Sequence, residues 1–154
     1  MITKVKRANT VKRKDDTMGR FSVDIELANN NDLALSRAGH LAPEAVRRVQ
    51  IRGVVDTGAT RLVLPAIVAK QLGLPYAGKI NARYADGRKA VRDLVDDVHL
   101  ELLGRSSVFK AAIEPKRESA LIGAIVLEDL DFLVDCIGQR LVPRDPHQIV
   151  SEIE

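Results

Sequence analysis

The chain has 154 residues, of which 45% are hydrophobic and 29% charged. This balance is typical of one folded domain and excludes a chain disordered throughout. The net charge of +3 is too modest to indicate nucleic-acid binding by itself. Because aromatic residues make up only 3%, we expect a core of Val, Leu and Ile.

Residues 1–18 form a basic arm, in which Asp15 and Asp16 only partly balance the cations Lys4, Lys6, Arg7, Lys12, Arg13 and Lys14. The arm has no apolar stretch of the length that a secretory signal needs, and no segment of the chain is apolar enough to span a bilayer. We therefore expect a cytoplasmic protein without membrane contact. Since the arm lacks aromatics for base stacking, we interpret it as a flexible, solvated extension, with nucleic-acid binding as the alternative.

The first half of the remaining chain predicts two strands and a helix. Apolar and polar residues alternate from Phe21 to Leu27, as in a strand with one buried face, and the polar run at 29–32 ends it. We expect a loop as far as Pro43, and then a strand that ends at Asp56. A short helix is predicted from Pro65 to Leu72, capped by Gly73, with Ile67, Val68 and Leu72 as its buried side.

The second half predicts more strands. Asp86-Gly87 is a strong turn signal within a hairpin from Ile80 to Val91. Strands are expected over 94–103 and 108–113, separated by residues 104–106, with a connection at 115–119 and a helix-like stretch at 124–130. The single cysteine, Cys136, cannot form an internal disulfide. We expect it to be buried in a late strand and not catalytic, since His40, His99 and His147 lie in unrelated contexts.

Two short motifs carry the functional signal. Asp56-Thr57-Gly58-Ala59 follows an apolar run and precedes Leu62-Val63-Leu64-Pro65, and Ala120-Leu121-Ile122-Gly123 comes about 65 residues later. Asp-x-Gly is also a common turn former, so the tripeptide alone decides nothing. In this arrangement the two motifs resemble the catalytic loop and the supporting element (Leu121, Ile122 and Gly123) of retropepsin-like aspartic proteases.

The resemblance implies an all-β fold: a closed acid-protease barrel with one or two short helices, equivalent to half of a pepsin-like bilobal enzyme. The domain would cover residues 19–146, leaving the arm at 1–18 and a polar tail at 147–154. Because only one Asp-Thr-Gly is present, the resemblance implies a homodimer that brings two aspartates together.

The resemblance also assigns roles. Asp56 would be catalytic; Thr57 would hydrogen-bond the opposite loop, Gly58 would let the two loops meet, and Ala59 would border the substrate groove. The hairpin would be a flap over a polypeptide substrate, contacted by Tyr84, Asp86 and Gly87. No metal or cofactor is implied.

Three departures from the retroviral pattern leave a second reading open. The flap lacks a glycine-rich tip, and the chain ends do not resemble those that interleave in retroviral dimers. Ala124 and Thr60 occupy the positions of a family salt bridge. The alternative is therefore a binding or scaffolding module with this fold and little activity.

Overall fold

The computed structural model describes residues 20–154; the basic arm at 1–18 lies outside the described residues. The described part contains nine strands: β1 (Arg20–Asn29), β2 (Arg48–Asp56), β3 (Leu62–Pro65), β4 (Tyr76–Arg83), β5 (Lys89–Leu102), β6 (Arg105–Glu114), β7 (Ala120–Ile122), β8 (Phe132–Asp135) and β9 (Arg140–Pro143). Its three α-helices are α1 (Asn30–Arg37), α2 (Ala66–Leu72) and α3 (Ala124–Leu130), and a 3-10 turn spans Pro43–Ala45.

Six strands form a closed barrel. They are hydrogen-bonded in the order β1-β2-β7-β3-β6-β5, and β5 returns to pair with β1, which closes the sheet. The second half of β5 closes the barrel, whereas its first half pairs with β4 in a hairpin. β8 and β9 form a separate hairpin. The predicted retropepsin-like closed barrel is therefore confirmed.

The barrel interior is filled by aliphatic side chains, as the scarcity of aromatics predicts. The fully buried members include Leu27, Val55, Leu64, Leu100 and Ile122. These residues come from strands on all sides of the barrel, so the core fixes the register of each strand relative to its neighbours. β2 consequently ends with Val55 inside the barrel and Asp56 at its rim.

The loop predicted between Asp32 and Pro43 is wrong, because helix α1 begins at Asn30. The Asn29 side chain caps this helix by accepting a hydrogen bond from the Asp32 N–H at 3.0 Å. Its Nδ2 donates to the carbonyl of Leu72, at the end of α2, at 2.8 Å. Asp32 accepts two side-chain bonds from Arg47. The polar run that reads as a turn is therefore a helix cap, and the helices number three rather than one or two.

The predicted helix at Pro65 is confirmed as α2, capped by Gly73 at a φ of +63°. Val68 and Leu72 are buried as predicted, but the prediction for Ile67 is wrong because 60% of this residue is exposed. In a helix of only seven residues, α2 turns one narrow face to the barrel, and Ile67 lies beside that face.

The later strands are longer than predicted. The turn between β5 and β6 is the pair Leu103-Gly104, both at positive φ, so β6 already begins at Arg105. Such a two-residue turn matches the twist of the flanking strands.

Cys136 follows β8 and is exposed, which corrects the expectation that it is buried. The predicted helix at 124–130 is confirmed as α3.

The C-terminal segment returns to the end of α3. Asp131, buried and at a φ of +63°, accepts hydrogen bonds from Arg144 Nε at 2.7 Å and from the Val150 N–H at 2.9 Å. The Val150 N–H bond is the main reason that the pKa of Asp131 is lowered.

Among residues 20–154, no helix has the length and apolar character needed to cross a membrane.

Candidate active site

Asp56 is the last residue of β2, where the strand leaves the barrel. Its side chain is 16% exposed. The Gly58 N–H donates to Asp56 Oδ1 at 2.9 Å, and the Ala59 N–H donates to the Asp56 carbonyl at 3.1 Å. The carboxylate is thus oriented by its own turn. Thr57 and Gly58 form the exposed tip of that turn.

The Leu121-Ile122-Gly123 motif lies directly beneath this turn. β7 runs parallel to β2, with Val54 opposite Leu121 and Val55 opposite Ile122. The first two N–H groups of α3, of Ala124 and Ile125, donate to the carbonyls of Ala59 and Thr60 at 2.8 and 2.9 Å. The structure therefore brings together the two motifs that the sequence resemblance pairs.

Gly123 is required by this close approach. A Cβ on Gly123 would lie 2.6 Å from the Arg61 carbonyl oxygen, 2.7 Å from the Arg61 nitrogen and 2.8 Å from the Ala59 carbonyl oxygen. All three are backbone atoms of the chain that follows Asp56, and they cannot rotate away as side-chain atoms do. The glycine thus allows helix α3 to dock against the loop.

Arg20 is a site residue that the sequence prediction missed. It pairs with Asp56 in the β1–β2 register, and its Nη2 lies 3.0 Å from Asp56 Oδ2. The Arg20 side chain is 44% exposed. The contact between Arg20 and Asp56 depends on which residues of β1 lie opposite which residues of β2. The alternation of apolar and polar residues in β1 predicts a strand but does not reveal this register.

An open groove with a volume of about 820 Å³ runs between the Asp56 turn and the β4–β5 hairpin. Tyr84 lines this groove, while Asp86 and Gly87 lie at the hairpin tip outside it. The Asp86 carboxylate is bonded to Arg88 instead, through its N–H and its Nε. Of the three predicted flap contacts, only Tyr84 is therefore brought to the groove.

The hairpin is held over the groove by one carboxylate. Glu114, at the end of β6, accepts a hydrogen bond from the Tyr84 hydroxyl at 2.6 Å and another from Arg92 Nε at 2.9 Å. The bond to the Glu114 carboxylate raises the pKa of Tyr84, and burial adds to this shift. The arginine and the tyrosine thus share Glu114, which links β4, β5 and β6 at the groove wall.

The groove is rich in arginine. Arg20, Arg61, Arg83, Arg92 and Arg117 all line it, together with the acids Asp56 and Glu114. Arg117 donates to the Ser119 carbonyl at 2.9 Å, and burial lowers the pKa of its guanidinium, which nevertheless stays charged.

Over residues 20–154, no three His, Cys, Asp or Glu side chains lie together as metal ligands would.

Comparison with known families agrees with this geometry. A family model described as aspartyl protease matches residues 45–126, which is more than half of the chain. The match contains the Asp56 turn, the hairpin and the Leu121-Ile122-Gly123 element. The chain therefore belongs to the aspartyl protease family. No curated protein matches it.

Proposed function

We propose that this protein is an aspartic endopeptidase in which two copies of the chain each supply one Asp56. The observation that carries the proposal is the position of Asp56: its carboxylate is oriented by the Gly58 N–H at 2.9 Å and opens onto a groove of about 820 Å³. A turn that needed only structural capping would have no reason to present its carboxylate to such a groove.

One chain provides one aspartate, so the reaction needs a second copy. Thr57 and Gly58 are exposed at the tip of the turn, which leaves them available to the same turn of a partner related by two-fold symmetry. Two carboxylates held together in this way share a single proton, as is known for aspartic-protease dyads.

The chemistry then follows from one proton on two carboxylates. The ionised Asp56 removes a proton from a water molecule as its oxygen attacks the scissile carbonyl carbon. The protonated Asp56 transfers its proton to the carbonyl oxygen, so the tetrahedral intermediate has two hydroxyl groups and the two carboxylates have exchanged protonation states. The Asp56 that took the water proton then gives it to the amide nitrogen, while the other Asp56 removes a proton from one hydroxyl; the C–N bond breaks and an amine and a carboxylic acid are released. Tyr84 on the hairpin would cover the substrate and limit access of bulk water.

The Arg20–Asp56 ion pair favours a second candidate, a binding module. The guanidinium lies 3.0 Å from Asp56 Oδ2, the carboxylate oxygen that does not accept the Gly58 N–H. For the enzyme to work, Arg20 must leave this position when the two turns meet. Its exposure of 44% means that little packing opposes such a movement. If Arg20 stays, the groove binds peptides without cleaving them.

Cleavage of a denatured protein mixture, measured from pH 4 to 7 over a range of protein concentrations, tests the proposal. We expect wild-type activity to rise more steeply than the first power of concentration, because the active species is a dimer. Asp56→Asn should abolish cleavage. Asp24→Asn is the matched control, since Asp24 is also a β-strand carboxylate paired with an arginine, at 2.8 Å, but faces solvent away from the groove.

The outcomes separate the two candidates. Activity that is lost in Asp56→Asn and kept in Asp24→Asn supports the endopeptidase. A folded wild-type protein that cleaves nothing at any concentration or pH, while Asp56→Asn and wild type bind denatured chains equally, supports the binding module instead. Sedimentation velocity on the same samples reports whether the dimer forms.

A further inference from the structure

We propose that the groove selects acidic peptide segments, with Asp or Glu side chains close to the bond that Asp56 addresses. The inference deepens the proposed function and rests on it for the cleavage step, although its binding step can be measured separately. It is carried by the charges that line the groove and by the way in which they are paired.

In the single chain, each of the two acids of the groove is paired with an arginine, and the count of charges in the groove is the same if Arg20 moves. Asp56 pairs with Arg20 at 3.0 Å, and Glu114 pairs with Arg92 at 2.9 Å. These two pairs use two of the five arginines. The groove therefore has a surplus of three positive charges before any substrate arrives.

The three remaining arginines come from three different elements around Asp56. Arg61 follows the catalytic turn, Arg83 ends strand β4 of the hairpin, and Arg117 lies in the connection before β7. Within residues 20–154, none of the three has a carboxylate at ion-pair distance. Arg117 instead donates to the Ser119 carbonyl at 2.9 Å, the Ser119 hydroxyl at 3.1 Å and the Ala120 carbonyl at 3.5 Å, all of which are uncharged groups.

A second cavity differs from the groove in its charge. A second cavity of about 480 Å³ lies on the outer surface of β1, β2 and β5, and it has the opposite balance. Three acids, Asp24, Glu26 and Glu101, line it with a single arginine, Arg52. Of these two cavities, the groove is the one with a surplus of positive charge, and a concave surface increases the effect of that charge on an anionic ligand.

Two-fold symmetry extends the preference to both sides of the cleaved bond. If each copy contributes one groove, each half of an extended peptide meets the same set of arginines. The arginines present guanidinium groups, which bind carboxylates through two parallel hydrogen bonds. The expected substrate therefore has acidic residues flanking an uncharged centre, because the centre faces the Asp56 pair.

Three peptides of equal length with a common cleavable centre test the inference. Two positions on each side of the centre are Glu in the first peptide, Gln in the second and Lys in the third. We expect kcat/KM for the Glu peptide to exceed that for the Gln peptide about tenfold, mainly through KM, with the Lys peptide lowest. Raising salt from 50 to 500 mM should remove most of the difference, since exposed charges are screened.

Variants locate the source of the preference. The double variant Arg61→Gln/Arg83→Gln should lower the ratio of kcat/KM between the Glu and Gln peptides. We expect about a threefold reduction for each arginine, the size expected of an exposed ion pair. Arg83→Glu should turn the preference of the hairpin side toward Lys. Arg48→Gln is the matched control, an exposed arginine of β2 outside the groove, and it should keep the wild-type ratio. Arg83 is itself exposed, so its single variant serves if the double variant fails to fold.

The failures of the two proposals are distinguishable. Equal cleavage of the Glu and Gln peptides, or a double variant with the wild-type ratio, overturns the acidic preference and leaves the endopeptidase intact. If wild type cleaves none of the peptides, their binding is measured instead, by fluorescence anisotropy of labelled peptides with wild type and with Asp56→Asn. Tighter binding of the Glu peptide then supports the preference without the endopeptidase, and equal binding overturns it.

Discussion

The two walls of the groove are built by different forces. The floor, formed by the Asp56 turn and the start of α3, is held by backbone hydrogen bonds from Ala124 and Ile125 and by close contact at Gly123. The β4–β5 hairpin opposite joins the barrel where β5 pairs with β6 at Leu94, and beyond that point it is held by side chains, through the bonds of Tyr84 and Arg92 to Glu114. The outer part of the hairpin depends on these few partly buried side-chain bonds, so we expect it to open at a lower free energy than the floor. We therefore expect the hairpin to move more readily than the Asp56 turn.

The largest expected effect is on the floor. Gly123→Ala places a methyl group 2.6–2.8 Å from three backbone atoms, so the turn and the helix must separate. We expect the free energy of unfolding to fall by about 3 kcal/mol, at the upper end for an overpacked core. Denaturant unfolding followed by circular dichroism measures this change.

Gly53→Ala is the matched control for that prediction. The added Cβ would lie 2.7 Å from Cδ1 of Ile122, the far end of a side chain, rather than from backbone. Its cost should be about 1–2 kcal/mol, because the isoleucine has room only for a partial shift in a full core. An equal or larger cost than that of Gly123→Ala would contradict a floor fixed by backbone contact.

The second prediction concerns the hairpin. Tyr84→Phe removes the 2.6 Å bond to Glu114 and keeps the ring, so we expect a stability loss of about 1 kcal/mol. Hydrogen exchange should become faster over residues 80–91 and stay unchanged at Asp56 to Ala59. Peptide cleavage should fall about tenfold in kcat/KM if the hairpin covers the substrate. Faster exchange in the turn as well would show that the two walls are coupled.

The third prediction uses the hairpin tip. Gly87 has a φ of +89°, and a Cβ there would meet nothing within 4 Å. Gly87→Ala should therefore cost about 1 kcal/mol through backbone strain alone. Unfolding in urea measures it, and cleavage should change by less than twofold, since Gly87 lies outside the groove. A loss as large as that of Gly123→Ala would mean that the tip is packed against something.

The difference between local and distant contacts also explains which features the sequence predicts. Local signals give the strand into Asp56, the Asp86-Gly87 turn and the glycine after Leu121-Ile122, since each depends on neighbours in the chain. Contacts between distant strands are not local: the Arg20–Asp56 pair depends on the β1–β2 register. Tyr84 was predicted as a substrate contact, but its bond to Glu114 spans 30 residues and has no sequence signature.

Helix α1 was missed for a related reason. Asn29, Asn30 and Asn31 are typical turn residues, but Asn29 is also a good helix cap once its Nδ2 has a partner. That partner is the Leu72 carbonyl, which lies 43 residues further along the chain. Local preference alone leaves turn and cap equally plausible, and the tertiary contact decides between them.

The smallest expected effect tests the hairpin bond by pH. Its acceptor, the Glu114 carboxylate, raises the pKa of Tyr84 in the folded protein. A raised pKa means that the folded chain binds this proton more tightly than the unfolded chain. The stabilisation is therefore complete below the ordinary tyrosine pKa of about 10 and is lost as pH rises through the folded value.

Urea unfolding of wild type and Tyr84→Phe at pH 8, 9, 10 and 11 measures this loss. The wild type should be the more stable protein by a constant margin at pH 8 and 9, and the margin should shrink above pH 10. The second tyrosine, Tyr76, is present in both proteins and cancels in the comparison. A margin that stays constant to pH 11 would mean that Tyr84 does not donate to Glu114 in solution, and the hairpin would then need another anchor.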